Sequence, residues 1–540
     1  MSASAHTDSF ARDNLPPRQL WPEFRFELPE LNYPKRMNCA AELLDRMAAK
    51  AGGRIVIRTS EGQCSYAQFM AQANRIAHVL ANDMGLVPGN RVLLRGPNNP
   101  MMAACWFAVM KAGGIVVATM PLLRAKELTE IVTKAEVSHA LCDRRLDADL
   151  RAALPACPGL KTIRYWYDDA ADSLDRLCAQ QPDDFENVDT AADDVALIAF
   201  TSGTTGRPKG TMHFHRDVVA MCDLFPRSCL RTRADDVFCG TPPLAFTFGL
   251  GGMLAFPMRY GASTVLVERL TPDALLETIQ EFRATVCFTA PTFYRQMAGL
   301  AKNYDLRSLD RCVSAGEALP DATRELFKSA TGIEIIDGIG STEMIHIFIS
   351  HTPERARRGA TGYAIPGYQA TVLDEKGRRC APGVVGRLAV KGATGCRYLA
   401  DERQKNYVIS EGGMRGWNVT GDAYSMDADG YFYYQSRTDD MIISAGYNIA
   451  GPEVEGVLLA HPAVQECGVV GIADAERGQI VKAFVVLKPG HAKDATMAKA
   501  LQDHVKDSIA PFKYPRAIAF VDVLPRTETG KLQRFKLRMA

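Results

Sequence analysis

The run Val195-Ala196-Leu197-Ile198-Ala199-Phe200, followed at once by Thr201-Ser202-Gly203-Thr204-Thr205-Gly206-Arg207-Pro208-Lys209-Gly210, constrains this chain more than any other segment. Six consecutive apolar residues read as a buried strand of the kind found in parallel sheets covered on both faces. The loop that follows is rich in glycine and hydroxyl side chains. Successive amides can turn inward without side-chain hindrance, the hydroxyls add donors, and Lys209 ends the loop with a point charge. That make-up suits a polyphosphate, although standing alone it is also that of an ordinary flexible connection. The phosphate loop of the P-loop NTPases is excluded, because it needs Gly-Lys-Ser/Thr opening a helix. Here Pro208 precedes Lys209 and Gly210 follows it, and proline neither donates an amide nor favours a helical residue before it.

Further short apolar runs alternate with helix-like segments: 91–94, 114–118, 262–267 and 285–288. This rhythm predicts parallel βα units. The apolar stretch Met101 to Leu123 is broken by Lys111, Gly113, Gly114 and Pro121, and so reads as a buried helix turning into a strand rather than a membrane span. Beyond about residue 437 the texture becomes that of a small α+β unit, with strands at 464–472, 483–487 and 517–521. Its helix, capped by Asp494, carries Met497, Leu501, Val505 and Ile509 on one face. At 540 residues two or more cores are expected. The predicted organisation is an α/β N-terminal domain over 1–436 and a C-terminal domain over 437–540.

Sixty-three Lys and Arg against 62 Asp and Glu leave no electrostatic footprint for nucleic acid or an anionic membrane, so the expected partner is a small molecule. Fourteen cysteines contain no Cys-x-x-Cys pair, and Cys239, Cys287 and Cys312 sit in apolar runs, as suits a reducing compartment. His213 and His215 form the one close histidine pair and read as part of the segment after the loop rather than a zinc site. Residues 1–14 contain Asp8 and Asp13 and no apolar core, which predicts no secretory signal and a cytoplasmic protein.

Four more segments carry chemistry. In Asp337-Gly338-Ile339-Gly340-Ser341-Thr342-Glu343-Met344 the glycines point to close backbone approach, Thr342 can donate to a phosphate and Glu343 can hold Mg2+; a βα turn with a polar helix start is the plainer reading. Trp417-Asn418-Val419-Thr420-Gly421-Asp422 offers a carboxylate able to accept from two ribose hydroxyls, and Gly430 to Ile442 follows it. Pro525-Arg526-Thr527-Glu528-Thr529-Gly530-Lys531-Leu532-Gln533-Arg534 is a glycine-tipped basic loop.

In this order and spacing the five segments resemble the adenylate-forming superfamily of acyl-CoA synthetases, adenylation domains and luciferases, from roughly Leu43 to Arg538. The resemblance implies a large N-terminal domain of parallel βα layers with a β-barrel-like subdomain and a small mobile C-terminal domain. It implies ATP, Mg2+ and coenzyme A as partners of the reaction, with a homodimer as the expected assembly. By the same resemblance Thr201, Ser202, Gly203, Thr204, Thr205, Gly206 and Lys209 would wrap the ATP phosphates. Asp337, Gly338, Ile339, Gly340 and Thr342 would border the adenine and α-phosphate, Glu343 would bind Mg2+, and Asp422 and Arg437 would hold the ribose. Lys531 would bridge the substrate carboxylate and the α-phosphate, and Asp439 would be the hinge. The thiol path would run past Ala445, Gly446 and Tyr447, next to Asn448, where related medium-chain enzymes carry arginine.

The segment Met344-Ile345-His346-Ile347-Phe348 resembles the benzoate–CoA ligase branch. That likeness places Phe248, Ala315, Gly316, Gly340, His346 and Ile347 around a flat aromatic acid. His346 would either hydrogen-bond an ortho substituent or the carboxylate, or simply pack at the turn. The segments 13–17 and 444–452 look closer to 2-aminobenzoate–CoA ligases, which makes 2-aminobenzoate the expected acid. A benzoate or medium-chain acyl–CoA ligase, a stand-alone enzyme loading a carrier protein, and a non-catalytic nucleotide-binding regulator remain the alternatives at this stage.

Overall fold

The computed structural model describes residues 3–201, 208–268, 271–438, 440–444, 447–474, 477–526 and 532–539. The βα rhythm builds two largely parallel sheets. One contains, side by side, Thr162–Trp166, His139–Asp143, Arg91–Arg95, Ile115–Thr119, Val195–Thr201 and Lys209–Phe214. Its pairs are parallel up to the last, an antiparallel hairpin that spans the glycine- and hydroxyl-rich loop. Every residue of Val195–Phe200 is buried, as the continuous apolar run required.

The second sheet has nine strands, in the order Tyr363–Ala364, Ile347–Ser350, Ile335–Gly340, Arg311–Ser314, Val286–Thr289, Val237–Gly240, Ser263–Val265, Ile55–Thr59 and Gly62–Ser65. Its centre is parallel and both edges turn back antiparallel. Cys239, Cys287 and Cys312 lie at one register on adjacent strands, fully buried and unlinked. The helix Pro100–Lys111 is apolar on all sides and buried from Met101 onward, as a helix inside the core must be. Lys111 at its end is buried as well, its ammonium against Asp45 at 2.5 Å and Asn187 at 3.0 Å.

The barrel-like subdomain is a four-stranded antiparallel meander, Tyr368–Leu373, Gly386–Gly392, Asn418–Met426 and Phe432–Arg437. A separate small α+β domain closes the chain. Its sheet joins Val464–Asp474, Gly478–Leu487 and Ala517–Phe520, with Gly451–Ala460 and Ala495–Ser508 as the helices packed with it. Asp494 caps the second of these, accepting from the Met497 amide at 2.9 Å, and Leu501 and Val505 are buried. Arg295, on helix Pro291–Leu300, reaches into this domain and donates to the Leu459 carbonyl at 3.0 Å and the Gln465 carbonyl at 3.2 Å. Arg526 returns the contact, pairing with Glu317 at 3.1 Å and Glu466 at 2.9 Å. Among the described residues no helix is long and apolar enough to cross a membrane.

Candidate functional site

The hairpin of the first sheet pairs Thr201 directly with Lys209, so both ends of the loop meet at one point. Ser202, Gly203, Thr204, Thr205 and Gly206 lie outside the described residues. Thr201 Oγ1 is buried there without a hydrogen-bond partner among the described residues. The Lys209 ammonium donates to the Tyr398 hydroxyl at 3.0 Å and stands 3.7 Å from Glu343 Oε1, which accepts from that same hydroxyl at 2.5 Å. Glu343 sits on the short turn Thr342–Met344, which Ser341 opens by accepting from the Met344 amide at 3.2 Å. His213 ties this turn to the loop's return strand by donating from Nε2 to the Thr342 carbonyl at 2.7 Å. The histidine pair thus serves packing: His215 Nδ1 accepts from the Cys39 amide at 3.1 Å. Among the described residues no three potential ligands converge as a metal cluster.

The second motif is not a βα turn with a polar helix start, since its first four residues are strand. Asp337, Gly338, Ile339 and Gly340 belong to Ile335–Gly340, and the chain returns after one turn as Ile347–Ser350. The close approach that the glycines signal is made by the protein itself. A Cβ at Gly338 would stand 2.9 Å from the Ile347 side chain, and one at Gly340 would stand 2.7 Å from the His346 carbonyl.

Asp337 is buried, its amide donating to His351 Nε2 at 3.1 Å. Burial pushes its carboxyl up to about 7 from 3.8, with the Arg324 guanidinium opposing. A carboxyl raised on folding contributes stability in its protonated form, present below its ordinary value and lost as pH rises through about 7. Asp337→Asn should therefore gain in thermal midpoint relative to the parent as pH rises from about 4 to about 8. Parallel melting profiles across that range would contradict this.

Asp422 and Arg437 face each other across adjacent strands, carboxylate to guanidinium at 2.8 Å, the acid buried and the base half-exposed. Tyr447 is exposed and stacks on Phe512 with ring centroids 4.4 Å apart. Asp439, Ala445, Gly446 and Lys531 lie outside the described residues, although Arg526 and Leu532 pair across the loop that carries Lys531.

At the other end of the site, Ile345 takes a left-handed φ of 66°, a rare conformation for a β-branched residue. The turn delivers His346 into an aromatic box, with ring centroids 4.5 Å from Phe256, 5.7 Å from Phe248 and 6.0 Å from Phe225. Gly251 lies against the ring, where a Cβ would stand 2.6 Å from Nε2. Neither imidazole nitrogen has a hydrogen-bond partner among the described residues. Burial pushes the imidazole down to about 3, the Phe248 backbone lying near enough to offset this only in part, so the ring is neutral at physiological pH. Ala315 and Ile347 are buried and Phe248 is half-buried. Gly316 takes a φ of +90°, open to glycine.

The structure thus brings Lys209 together with Glu343, and Phe248 together with His346. Sequence reading missed Tyr398, Phe225, Phe256 and Tyr407, whose hydroxyl meets that of Ser341 at 3.1 Å. Tyr398 and Tyr407 lie in segments without periodicity or a motif. The two phenylalanines lie in apolar stretches that read only as core.

Residues 44–397 match the model of the AMP-binding enzyme family and residues 453–531 that of the AMP-binding enzyme C-terminal domain. The benzoate–CoA ligase of Thauera aromatica is 35% identical over 518 residues, 95% of this chain and 98% of that protein. Among solved structures, the anthranilate CoA ligase AuaEII in complex with anthranoyl-AMP superposes with a TM-score of 0.90 at 33% identity, over 95% of this chain and 98% of that one. A benzoate CoA ligase from Burkholderia xenovorans LB400 gives 0.84 at 32% identity, over 93% and 100%. The chain belongs to the AMP-binding enzyme family, the adenylate-forming superfamily, and within it to the branch of the benzoate–CoA ligases. It is an AMP-forming acid–thiol ligase.

Proposed function

We propose that the protein activates an aromatic carboxylic acid, 2-aminobenzoate foremost, as its acyl-adenylate and transfers the acyl group to coenzyme A. The observation that carries the aromatic reading is the box around His346. A neutral imidazole stands among three phenylalanine rings, and among the described residues neither nitrogen has a partner at good hydrogen-bond geometry, the Phe248 backbone only lying near; a buried polar atom left so is costly. An ortho amino group on a flat ring supplies that partner. The similarity to an anthranilate CoA ligase supports the same choice.

In this reading the substrate carboxylate attacks the α-phosphate of ATP and pyrophosphate leaves. The thiol of coenzyme A then attacks the acyl carbon and AMP leaves. The loop from Thr201 to Lys209 would wrap the phosphates, Asp337 to Thr342 would border the adenine and α-phosphate, and Asp422 with Arg437 would hold the ribose. Glu343 fits Mg2+: its Oε2 makes no hydrogen bond among the described residues, and one carboxylate plus nucleotide phosphates is a usual magnesium ligand set. When bound, the metal would neutralise charge on the phosphates. Lys531 would supply a second charge at the reacting bond. The domain from 437 onward would turn about Asp439 between the half-reactions, bringing Ala445, Gly446 and Tyr447 to the thiol path.

The test is AMP release with ATP, Mg2+ and coenzyme A across 2-aminobenzoate, benzoate, 2-hydroxybenzoate, phenylacetate and octanoate, with the thioester identified by mass. Preference for 2-aminobenzoate is expected, and turnover of octanoate alone would overturn the aromatic pocket. His346→Leu should lower kcat/KM for 2-aminobenzoate about tenfold, one hydrogen bond's worth, while benzoate stays within about twofold. Equal losses on both acids would show that His346 only packs.

A further inference from the structure

Tyr398 is 1% exposed, and its hydroxyl touches both charged groups of the site, accepting from Lys209 and donating to Glu343. Its place is fixed from several directions. The Leu399 amide donates to the Gly210 carbonyl at 2.8 Å and the Met212 amide to the Arg397 carbonyl at 2.8 Å, so a single antiparallel bridge between Thr211 and Tyr398 holds residues 397–399 beside the loop's return strand. The Tyr398 amide donates to Gln404 Oε1 at 2.8 Å, and its ring meets Tyr407 edge-on at 5.9 Å. A side chain held this firmly, with its one polar atom between a lysine and a carboxylate, does more than fill space.

We propose that Tyr398 is a positioning residue for nucleotide binding: its hydroxyl fixes one oxygen of Glu343, so that the other faces the metal, and keeps Lys209 from closing onto the carboxylate. The 3.7 Å gap between Lys209 and Glu343 is too long for a direct hydrogen bond. Without the hydroxyl between them the ammonium would move into contact at about 2.8 Å, and a Mg·nucleotide complex would have to break a full ion pair to enter.

The inference rests on Glu343 as the metal carboxylate, and the experiment separates the two. Tyr398→Phe keeps the ring and removes the hydroxyl. It should raise KM for Mg·ATP about tenfold or more with kcat changed less than about threefold. Calorimetric binding of Mg·AMP-PCP, an ATP analogue that stays intact here because no acid is present to attack its α-phosphate, should weaken by the same factor in the absence of coenzyme A. An unchanged Kd overturns the proposal. Glu343→Gln should abolish the Mg2+ dependence of that binding, and adding Tyr398→Phe to it should change little further. Retained Mg2+ dependence in Glu343→Gln would sink the metal assignment, whereas its loss there beside an unaltered Tyr398→Phe would sink the role of Tyr398 alone. Should the variant not fold, 3-fluorotyrosine at position 398 keeps the hydroxyl. Its 19F resonance should move more with Mg·AMP-PCP than with the metal-free analogue, and equal shifts would overturn the proposal.

Discussion

Asp217→Asn should cost the protein about 3–5 kcal/mol of stability, seen as a lower denaturation midpoint and less soluble protein. Asp217 and Arg397 form an ion pair with both side chains fully buried. Burial alone would raise the carboxyl, but Arg397, and to a lesser extent His213, hold it down at about 2. The guanidinium also donates to the Met212 carbonyl at 3.2 Å and stacks over Phe214 at 3.8 Å. Asparagine keeps the shape but leaves a buried cation uncompensated, and that is where the cost arises. The double variant Asp217→Leu/Arg397→Met removes both charges and should recover much of the loss. Denaturant unfolding of the parent, single and double variants checks this. A double variant no better than the single one would show that the pair's geometry, not its charge, carries the stability.

Lys531→Ala should slow adenylate formation by a factor on the order of 10²–10³, the usual effect of removing one preorganised charge from a developing transition state. Nucleotide affinity should hold, because in the proposed reading Lys209, Asp422 and Arg437 would hold the nucleotide by contacts of their own. Thioester formation from a supplied acyl-adenylate should also hold, since its leaving group is already in place. Pyrophosphate exchange measures the first half-reaction, and thioester yield from synthetic anthranoyl-AMP the second. Equal losses in both would mean that Lys531 supports the fold rather than one step.

Where local composition dictates structure, the sequence was readable. Six apolar residues read as a buried strand, and Asp494 with the apolar positions 497, 501 and 505 as the start of an amphipathic helix, and both are found. Lys209 and Glu343 were singled out because each stands in a short stretch of distinctive residues, and the structure places them 3.7 Å apart. What stayed hidden depends on residues far apart in the chain. Lys209 meets Tyr398 189 positions away, and Asp217 meets Arg397 180 positions away. No periodicity encodes such pairs; they appear only once the segment around Tyr398 lies beside the loop's return strand. The glycines at 338 and 340 signalled close approach correctly, but the neighbour is the chain's own returning strand.

The two ends of the site differ in compliance. Gly251 brings backbone against the His346 ring, Gly340 lies against its carbonyl, and three phenylalanine rings pack beside it, so the imidazole is held in place. Lys209 and Glu343 are held through one shared hydroxyl rather than by packed rings. In the proposed reading the nucleotide end is thus set by polar contacts, while the acid end behaves as a fixed gauge. Broadening the range of acids would call for a smaller side chain at position 346, because any residue larger than glycine at 251 or 340 would first displace the gauge itself.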